Sequence, residues 1–160
     1  MSFKLPLILA AGLSFAAFPA FAEITIENAY AKAAASAGKS SAAFLEIVNS
    51  GPEADRLIDV KSQAAKRVEL HTHKDMGEGV MKMMHVPEGF EIGAGETHAL
   101  ARGGDHVMLM GLIAPLEAGE TVSITLVFEQ AGEITLDVPI EPVKAPMAGD
   151  EGAMKHGASH

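Results

Sequence analysis

Short alternating segments separated by glycine- or proline-containing turns recur along residues 23–143, and no other feature of the sequence constrains the fold as strongly. Polar and apolar residues that alternate in this way are typical of half-buried β-strands. Many short strands joined by such turns indicate an antiparallel sandwich or barrel. Residues 31–43, rich in Ala, Ser and Gly, are predicted to be a loop. Strands are predicted over residues 23–26, 43–48, 56–60, 66–73, 79–86, 90–92, 106–112, 121–128 and 134–138.

The two ends of the chain differ in composition from the segment between them. Lys4 is followed by an apolar run over residues 5–17, and Ala20-Phe21-Ala22 resembles a cleavage site. This pattern is typical of a secretory signal peptide, and the apolar run is short for the alternative of a membrane anchor. Beyond Glu141 the residues are mainly Pro, Ala, Gly, Lys, Met and His. The 160 residues thus predict a signal peptide (1–22), one β domain (23–143) that is soluble after signal cleavage, and a flexible tail (144–160).

Composition and missing motifs exclude several classes of function. The formal net charge of −9 argues against nucleic acid as a partner, because phosphates require a basic surface. The chain has no Cys, which excludes disulfides, thiolate catalysis, zinc-finger sites and blue-copper electron-transfer sites. No nucleophile elbow, His-Glu-x-x-His motif, Walker loop or dinucleotide fingerprint occurs. We therefore expect a binding protein and not an enzyme.

Histidine and methionine are the residues that carry chemistry in this sequence. They form three clusters, at 71–73 (His-Thr-His), 81–85 (Met-Lys-Met-Met-His) and 106–110 (His-Val-Met-Leu-Met). In an extended strand, residues two positions apart lie on the same face, so each cluster places two potential ligands together. Thioether sulfur is a soft, neutral ligand that suits Cu(I), whereas zinc prefers thiolate, imidazole or carboxylate. The three clusters predict a Cu(I) site.

The alternative is that these side chains have ordinary structural roles. Methionine is a common filler of hydrophobic cores, and a single His in a strand is usually solvated or hydrogen-bonded. His85 and His98 lack a second candidate ligand of their own, and we interpret both as ordinary residues. A structural or adhesive sandwich with Met in its core would have no affinity for metal.

Residues 65–73, 79–83 and 103–112, taken together, resemble the PCu(A)C family of periplasmic copper chaperones. The resemblance extends over about residues 23–143, with Tyr30 where the family usually has Trp. It implies a cupredoxin-like, antiparallel Greek-key β-sandwich that binds Cu(I) through two His and two Met. It also implies a periplasmic monomer that delivers copper to the dinuclear copper centre of cytochrome oxidase or to another assembly chaperone. A copper-scavenging resistance protein without a specific acceptor is the alternative function.

The spacing of the family's ligands allows two assignments in this sequence. By local motif the ligands are His71, Met83, His106 and Met108. The family spacing is His, ten residues, Met, twenty-one residues, His-x-Met, and counted strictly it selects His73 and Met84 in place of the first two. Insertions belong in loops, and strand parity places Met84 on the opposite face from Met83. We therefore favour the local motif and keep His73 and Met84 as the alternative register.

The tail contains a second set of candidate ligands. These are Met147, Met154, His156 and His160. Imidazole suits Cu(II), and thioether would hold the ion once it is reduced. One hypothesis is an auxiliary arm that captures Cu(II) and passes it to the core site, and the other is a solubilising end with incidental His.

Overall fold

A computed structural model of the protein describes residues 23–143, so the predicted signal peptide and tail lie outside the described residues. The described part is all β, with ten strands. None of its residues belongs to a helix long and apolar enough to cross a membrane. The strands are β1 (Ile24–Lys32), β2 (Ser41–Asn49), β3 (Asp55–Lys61), β4 (Ala65–Asp75), β5 (Met81–His85), β6 (Phe90–Ile92), β7 (Thr97–Leu100), β8 (His106–Leu112), β9 (Thr121–Phe128) and β10 (Gly132–Glu141).

Most strands lie where the alternating pattern predicts them, and β8 and β9 have the predicted bounds. Two differences concern β1 and β7. Strand β1 continues to Lys32, into the predicted loop, because Ala31 is fully buried and pairs with both Ala43 and Ile140. Strand β7 was not predicted, because Leu100 is its only buried residue and the segment therefore has no apolar periodicity. It forms by pairing with β2.

The strands form one continuous path in the order β5-β4-β8-β2-β1-β10-β9-β3-β6, with β7 paired to β2. Every pairing between these ten strands is antiparallel except that of β1 with β10, which is parallel and joins the two halves of the path. The sequence did not predict this parallel pair, because neither strand's own pattern reveals which strand it will meet. The all-β, cupredoxin-like expectation is confirmed.

The core lies between the two halves of the path and is continuous. Leu45, Ile47 and Leu109 enter it from β2 and β8, and Ile124 and Leu126 enter it from β9. Each is at most 1% exposed. Full burial of one such side chain stabilises the fold by about 1.5–3 kcal/mol. A core of this kind does not depend on a bound metal, so the strands near the candidate ligands form a scaffold without one.

Polar groups buried in this core are mostly held by loops. Asn49 Nδ2 donates to the carbonyl of Glu53 at 2.7 Å, and the amides of Gln130 and Ala131 donate to Asp55 at 2.9 Å each. These buried side chains are fully accounted for by their structural hydrogen bonds. The remaining buried polar residues among those described are Ser41 and His106, and both line the candidate site.

Candidate metal centre

The register of β4, β5 and β8 brings His and Met side chains together on the outer face of the sheet. His71 on β4 lies directly opposite His106 on β8 and His85 on β5, and His73 lies opposite Met83. Residues that pair directly across strands share a face. The adjacent core-side positions are Leu70 and Val107, both buried, so the His and Met side chains point away from the core.

The two remaining candidate methionines lie on opposite faces. Met108 is two positions from His106 and lies opposite Glu69, so it shares the histidine face. Met84 pairs with Thr72, one position out of phase with His71 and His73, and lies on the other face. A one-residue shift in a strand moves a side chain to the opposite face. This geometry favours Met83 over Met84 as a partner of the histidines.

A cavity of about 380 Å³, open to solvent, lies over this face. Two imidazoles and two thioethers line it, from His73, His106, Met83 and Met108. Of the residues that differ between the two assignments, the cavity is lined by His73, from the alternative register, and by Met83, from the local motif. His71 is not one of the lining residues, although its ring centroid is 5.9 Å from that of His106.

The backbone carbonyl of Gly104 orients two of the imidazoles. Its oxygen is 3.2 Å from Nδ1 of His73 and 3.0 Å from Nδ1 of His106. A carbonyl oxygen only accepts, so both Nδ1 atoms must carry the proton and donate it. In neutral rings the lone pair is then on Nε2. Orientation by a carbonyl in this way is typical of metal-ligating His, and the two ring centroids are 5.1 Å apart.

His71 has the opposite arrangement. Its Nε2 is 2.9 Å from a carboxylate oxygen of Glu69, and the hydrogen bond from His71 is the largest cause of the lowered pKa of Glu69. An ionised carboxylate accepts, so Nε2 donates and the lone pair is on Nδ1. This Nδ1 is buried and has no hydrogen-bond partner within residues 23–143. An unpaired buried nitrogen is energetically costly, and a bound metal ion would remove that cost.

His106 is held in the neutral form that a metal requires. Its side chain is buried, and desolvation is the main cause that lowers its pKa below the ordinary value of 6.5. The nearby His73, His71 and Lys32 lower this pKa further, whereas the hydrogen bond to Gly104 opposes the change. Neutral imidazole is the metal-binding form, so this nitrogen needs little or no deprotonation at neutral pH.

The thioethers are needed to complete a metal site. Across the described part of the chain, no three His, Asp or Glu side chains converge in a way that could hold a metal ion. Met83 is 41% exposed, and Met108 is partly buried at the cavity. Neither thioether is packed in the core, and both face imidazoles. This donor set suits a soft, monovalent ion.

Several residues at the site were not predicted from the sequence. Glu69 shares the phase of His71, and its position could have been found from that parity. Gly104 acts through its backbone carbonyl and has no side-chain signal. The sequence predicts ordinary roles for His85 and His98; His85 is exposed, with its ring 5.9 Å from that of His71, and His98 is hydrogen-bonded to Asp105 at 2.9 Å. The tail candidates Met147, Met154, His156 and His160 lie outside the described residues.

The fold and the face of His and Met residues together define a PCuAC-type domain, and solved structures agree. The copper-bound PCuAC domain from PmoF2 has a TM-score of 0.62 at 28% identity, with 77% of this chain and 96% of that chain covered. The solution structure of CuI-DR1885 from Deinococcus radiodurans has a TM-score of 0.52 at 33% identity, with coverages of 79% and 80%.

The family follows from sequence comparison. The family described as "Putative lipoprotein LpqE-like" matches residues 24–140. "Putative lipoprotein Lxx21020" of Leifsonia xyli is 38% identical over 118 residues, covering 74% of this chain and 69% of that protein. This chain belongs to the LpqE-like family.

Proposed function

We propose that the protein is an exported copper chaperone that binds one Cu(I) ion through His71, Met83, His106 and Met108. The observation that carries the proposal is the presence of solvent-accessible thioethers beside hydrogen-bonded imidazoles on one face of the sheet. The copper-bound PCuAC domain and the Cu(I) form of DR1885 support the choice of metal. Export is supported by the pattern of residues 1–22 and by the lipoprotein names of the relatives.

Two residues, His71 and His73, are candidates for the fourth ligand. His71 matches the local motif, and its unpartnered Nδ1 supports a role in binding. His73 lines the cavity, and the hydrogen bond of its Nδ1 to Gly104 leaves the lone pair of the neutral ring on Nε2, which supports the alternative. We propose His71 as the ligand and His73 as a neighbour that shares the Gly104 carbonyl with His106.

Release would proceed by ligand exchange. Four neutral ligands leave the bound ion with its positive charge, so an incoming thiolate or imidazole can displace them one at a time. Met83 is the most exposed of the four and would be displaced first. Thioethers do not form disulfides, which suits an oxidising compartment. The acceptor would be the dinuclear copper centre of cytochrome oxidase or another assembly chaperone, and the alternative is scavenging without a specific acceptor.

A Cu(I) titration in competition with bathocuproine disulfonate tests the proposal. The protein should bind one equivalent, and zinc should not displace it, because thioethers contribute little to zinc binding. Met108→Leu should abolish tight binding while the apo domain stays folded, since Leu has similar apolar volume. Met110→Leu is the matched control, two positions along the same strand. Equal copper affinity in the Met108→Leu variant and the parent would contradict the proposal.

Transfer to an acceptor distinguishes the chaperone from the scavenger. The Cu(I)-loaded protein is mixed with the apo copper-site domain of cytochrome oxidase, and metal in each protein is measured after separation. A chaperone should transfer most of its copper, whereas a scavenger should retain it.

The tail is proposed to bind Cu(II) through His156 and His160, with Met147 and Met154 holding the reduced ion. Truncation after Val143 should then remove one Cu(II) equivalent and leave Cu(I) binding at the core unchanged. Unchanged Cu(II) uptake after truncation would contradict this role.

A further inference from the structure

Two positively charged side chains lie at the mouth of the copper cavity. Lys32 and Arg102 line it together with His106, Met83 and Met108, and none of the lining residues found in the described part of the chain is acidic. This is unusual for a chain with 21 Asp and Glu against 12 Lys and Arg. The charge at the mouth is therefore opposite in sign to the charge of the protein as a whole.

An aromatic platform holds both cations in place. The Nζ atom of Lys32 lies 5.2 Å from the ring centroid of Phe44, and the guanidinium carbon of Arg102 lies 5.7 Å from that of Tyr30. The two rings contact each other at 5.2 Å, and Phe44 also lies 6.1 Å from His106. Cation–π contacts of this kind fix long side chains that would otherwise be free to move. The positive charges are thus positioned beside the metal centre.

No carboxylate forms an ion pair with Lys32 or Arg102 among residues 23–143. Glu141 lies opposite Lys32 in the β1–β10 pair but forms no ion pair with it, and Glu69 and Asp105 are each paired with a histidine. Burial is the main cause that lowers the pKa of Lys32, and the like charge of Arg102 lowers this pKa further. Bound Cu(I) would add a further positive charge. The positive charges at the mouth would therefore attract an anionic group.

We infer that Lys32 and Arg102 form a docking surface for an acidic copper acceptor, which places carboxylates on them while its own ligands reach the metal at Met83. This rests on the proposed function, since it concerns how copper leaves the same site. Charge complementarity of this kind raises association rates by about 10- to 1000-fold at low salt. The acidic remainder of the surface would repel the same partner and so confine its approach to the mouth.

Removal of Lys32 and Arg102 should affect the Cu(I) affinity and the rate of Cu(I) transfer differently. Two cations close to a cationic ion oppose its binding, so removing them should leave Cu(I) affinity unchanged or slightly higher. Delivery to an acidic acceptor should nevertheless become slower. A purely structural role for Lys32 and Arg102 would instead weaken copper binding and leave acceptor charge without influence.

The experiment compares two synthetic acceptor peptides, each with a Cys-Ala-Ala-Cys copper site flanked either by four Glu or by four Gln. Rates of Cu(I) transfer are measured for the full chain, for Lys32→Gln/Arg102→Gln and for Lys74→Gln/Lys82→Gln. The last variant removes the same charge from exposed residues on the opposite face of the β4–β5 hairpin. Arg102→Gln alone, at an exposed position, is included in case the double variant is poorly folded.

We expect Lys32→Gln/Arg102→Gln to slow transfer to the Glu peptide about tenfold at low salt and to leave transfer to the Gln peptide unchanged. The difference should vanish at high salt, and Arg102→Gln should show a smaller effect of the same sign. Equal slowing with both peptides, no slowing, or the same result for Lys74→Gln/Lys82→Gln would overturn the inference alone. A chain that takes up no Cu(I) would overturn the proposed function and this inference with it.

Discussion

Strands β9 and β5 are both rich in apolar residues, but only β9 buries them. Along β9 every second side chain is buried, from Val122 to Phe128, as an alternating sequence predicts. In β5 all five side chains are exposed, with Met83 at 41% and Met84 at 39%. Burial therefore explains the residues of β9 and leaves those of β5 unexplained. Core filling, the usual reason for Met in a strand, does not apply to β5.

Strand β5 is also an edge strand, unlike β9, which lies between β10 and β3. Among the strands of residues 23–143, β5 lies at the end of the path and pairs only with β4. An exposed edge strand with apolar side chains is a liability for aggregation. The exposed Met83 therefore requires a reason other than stability, and ligation of a soft metal ion on the histidine face is such a reason.

The largest expected effect on folding lies in β9. Leu126→Ala should lower the free energy of unfolding of the apo domain by about 2–5 kcal/mol, because it leaves a cavity in a site with 0% exposure. Met84→Leu in β5 should change it by less than about 0.5 kcal/mol. Urea unfolding followed by circular dichroism measures both. Comparable losses for the two variants would remove the distinction between the strands.

Copper affinity should depend more on β5 than on β9, the reverse of the order for stability. Within β5, only the face that carries Met83 should matter for binding. Met83→Leu should weaken Cu(I) binding by at least about 100-fold, since loss of a ligand costs more than loss of a residue that merely orients one. Met84→Leu should leave affinity nearly unchanged, because Met84 pairs with Thr72 on the other face. Competition with a chromophoric chelator measures both. A larger loss for Met84→Leu would favour the strict-spacing register.

Substitution of His71 and of His73, both on β4, should give copper affinities that differ by about tenfold. His71→Ala should lose more copper affinity than His73→Ala, because the first removes a proposed ligand and the second removes a neighbour at the Gly104 carbonyl. The same chelator competition measures the two variants side by side. If His73→Ala were the more damaging change, the alternative register would hold for this ligand.

A smaller effect should appear in the pH dependence of apo stability. The pKa of His106 is lowered from 6.5 in the folded state, so the unfolded chain binds more protons between that lowered pKa and 6.5. The contribution of His106 to stability should therefore be constant well above the ordinary pKa of 6.5 and should decrease as the pH falls below it. Urea unfolding of the parent and of His106→Gln at several pH values measures this. A parent whose stability rises as the pH falls would contradict the burial of a neutral His106.

The sequence predicts local features well and long-range features poorly. The alternation of polar and apolar residues predicts β8 and β9 with their bounds. The alternation of side chains along a strand places Met83 and Met84 on opposite faces. The parallel pairing of β1 with β10 depends on which distant strands meet, and a single strand's pattern does not contain that information. The same reason hides the cations of the cavity mouth, since Lys32 and Arg102 are far apart in the chain and meet only over the aromatic platform.

X-ray absorption at the copper edge of the Cu(I)-loaded protein tests the central claim most directly, because it counts sulfur ligands. The proposed site predicts two sulfur and two nitrogen neighbours in the parent, one sulfur fewer in Met83→Leu, and no change in Met84→Leu. A copper ion surrounded only by nitrogen and oxygen, with spectra that do not respond to Met83→Leu or Met108→Leu, would contradict the claim that these exposed thioethers bind copper.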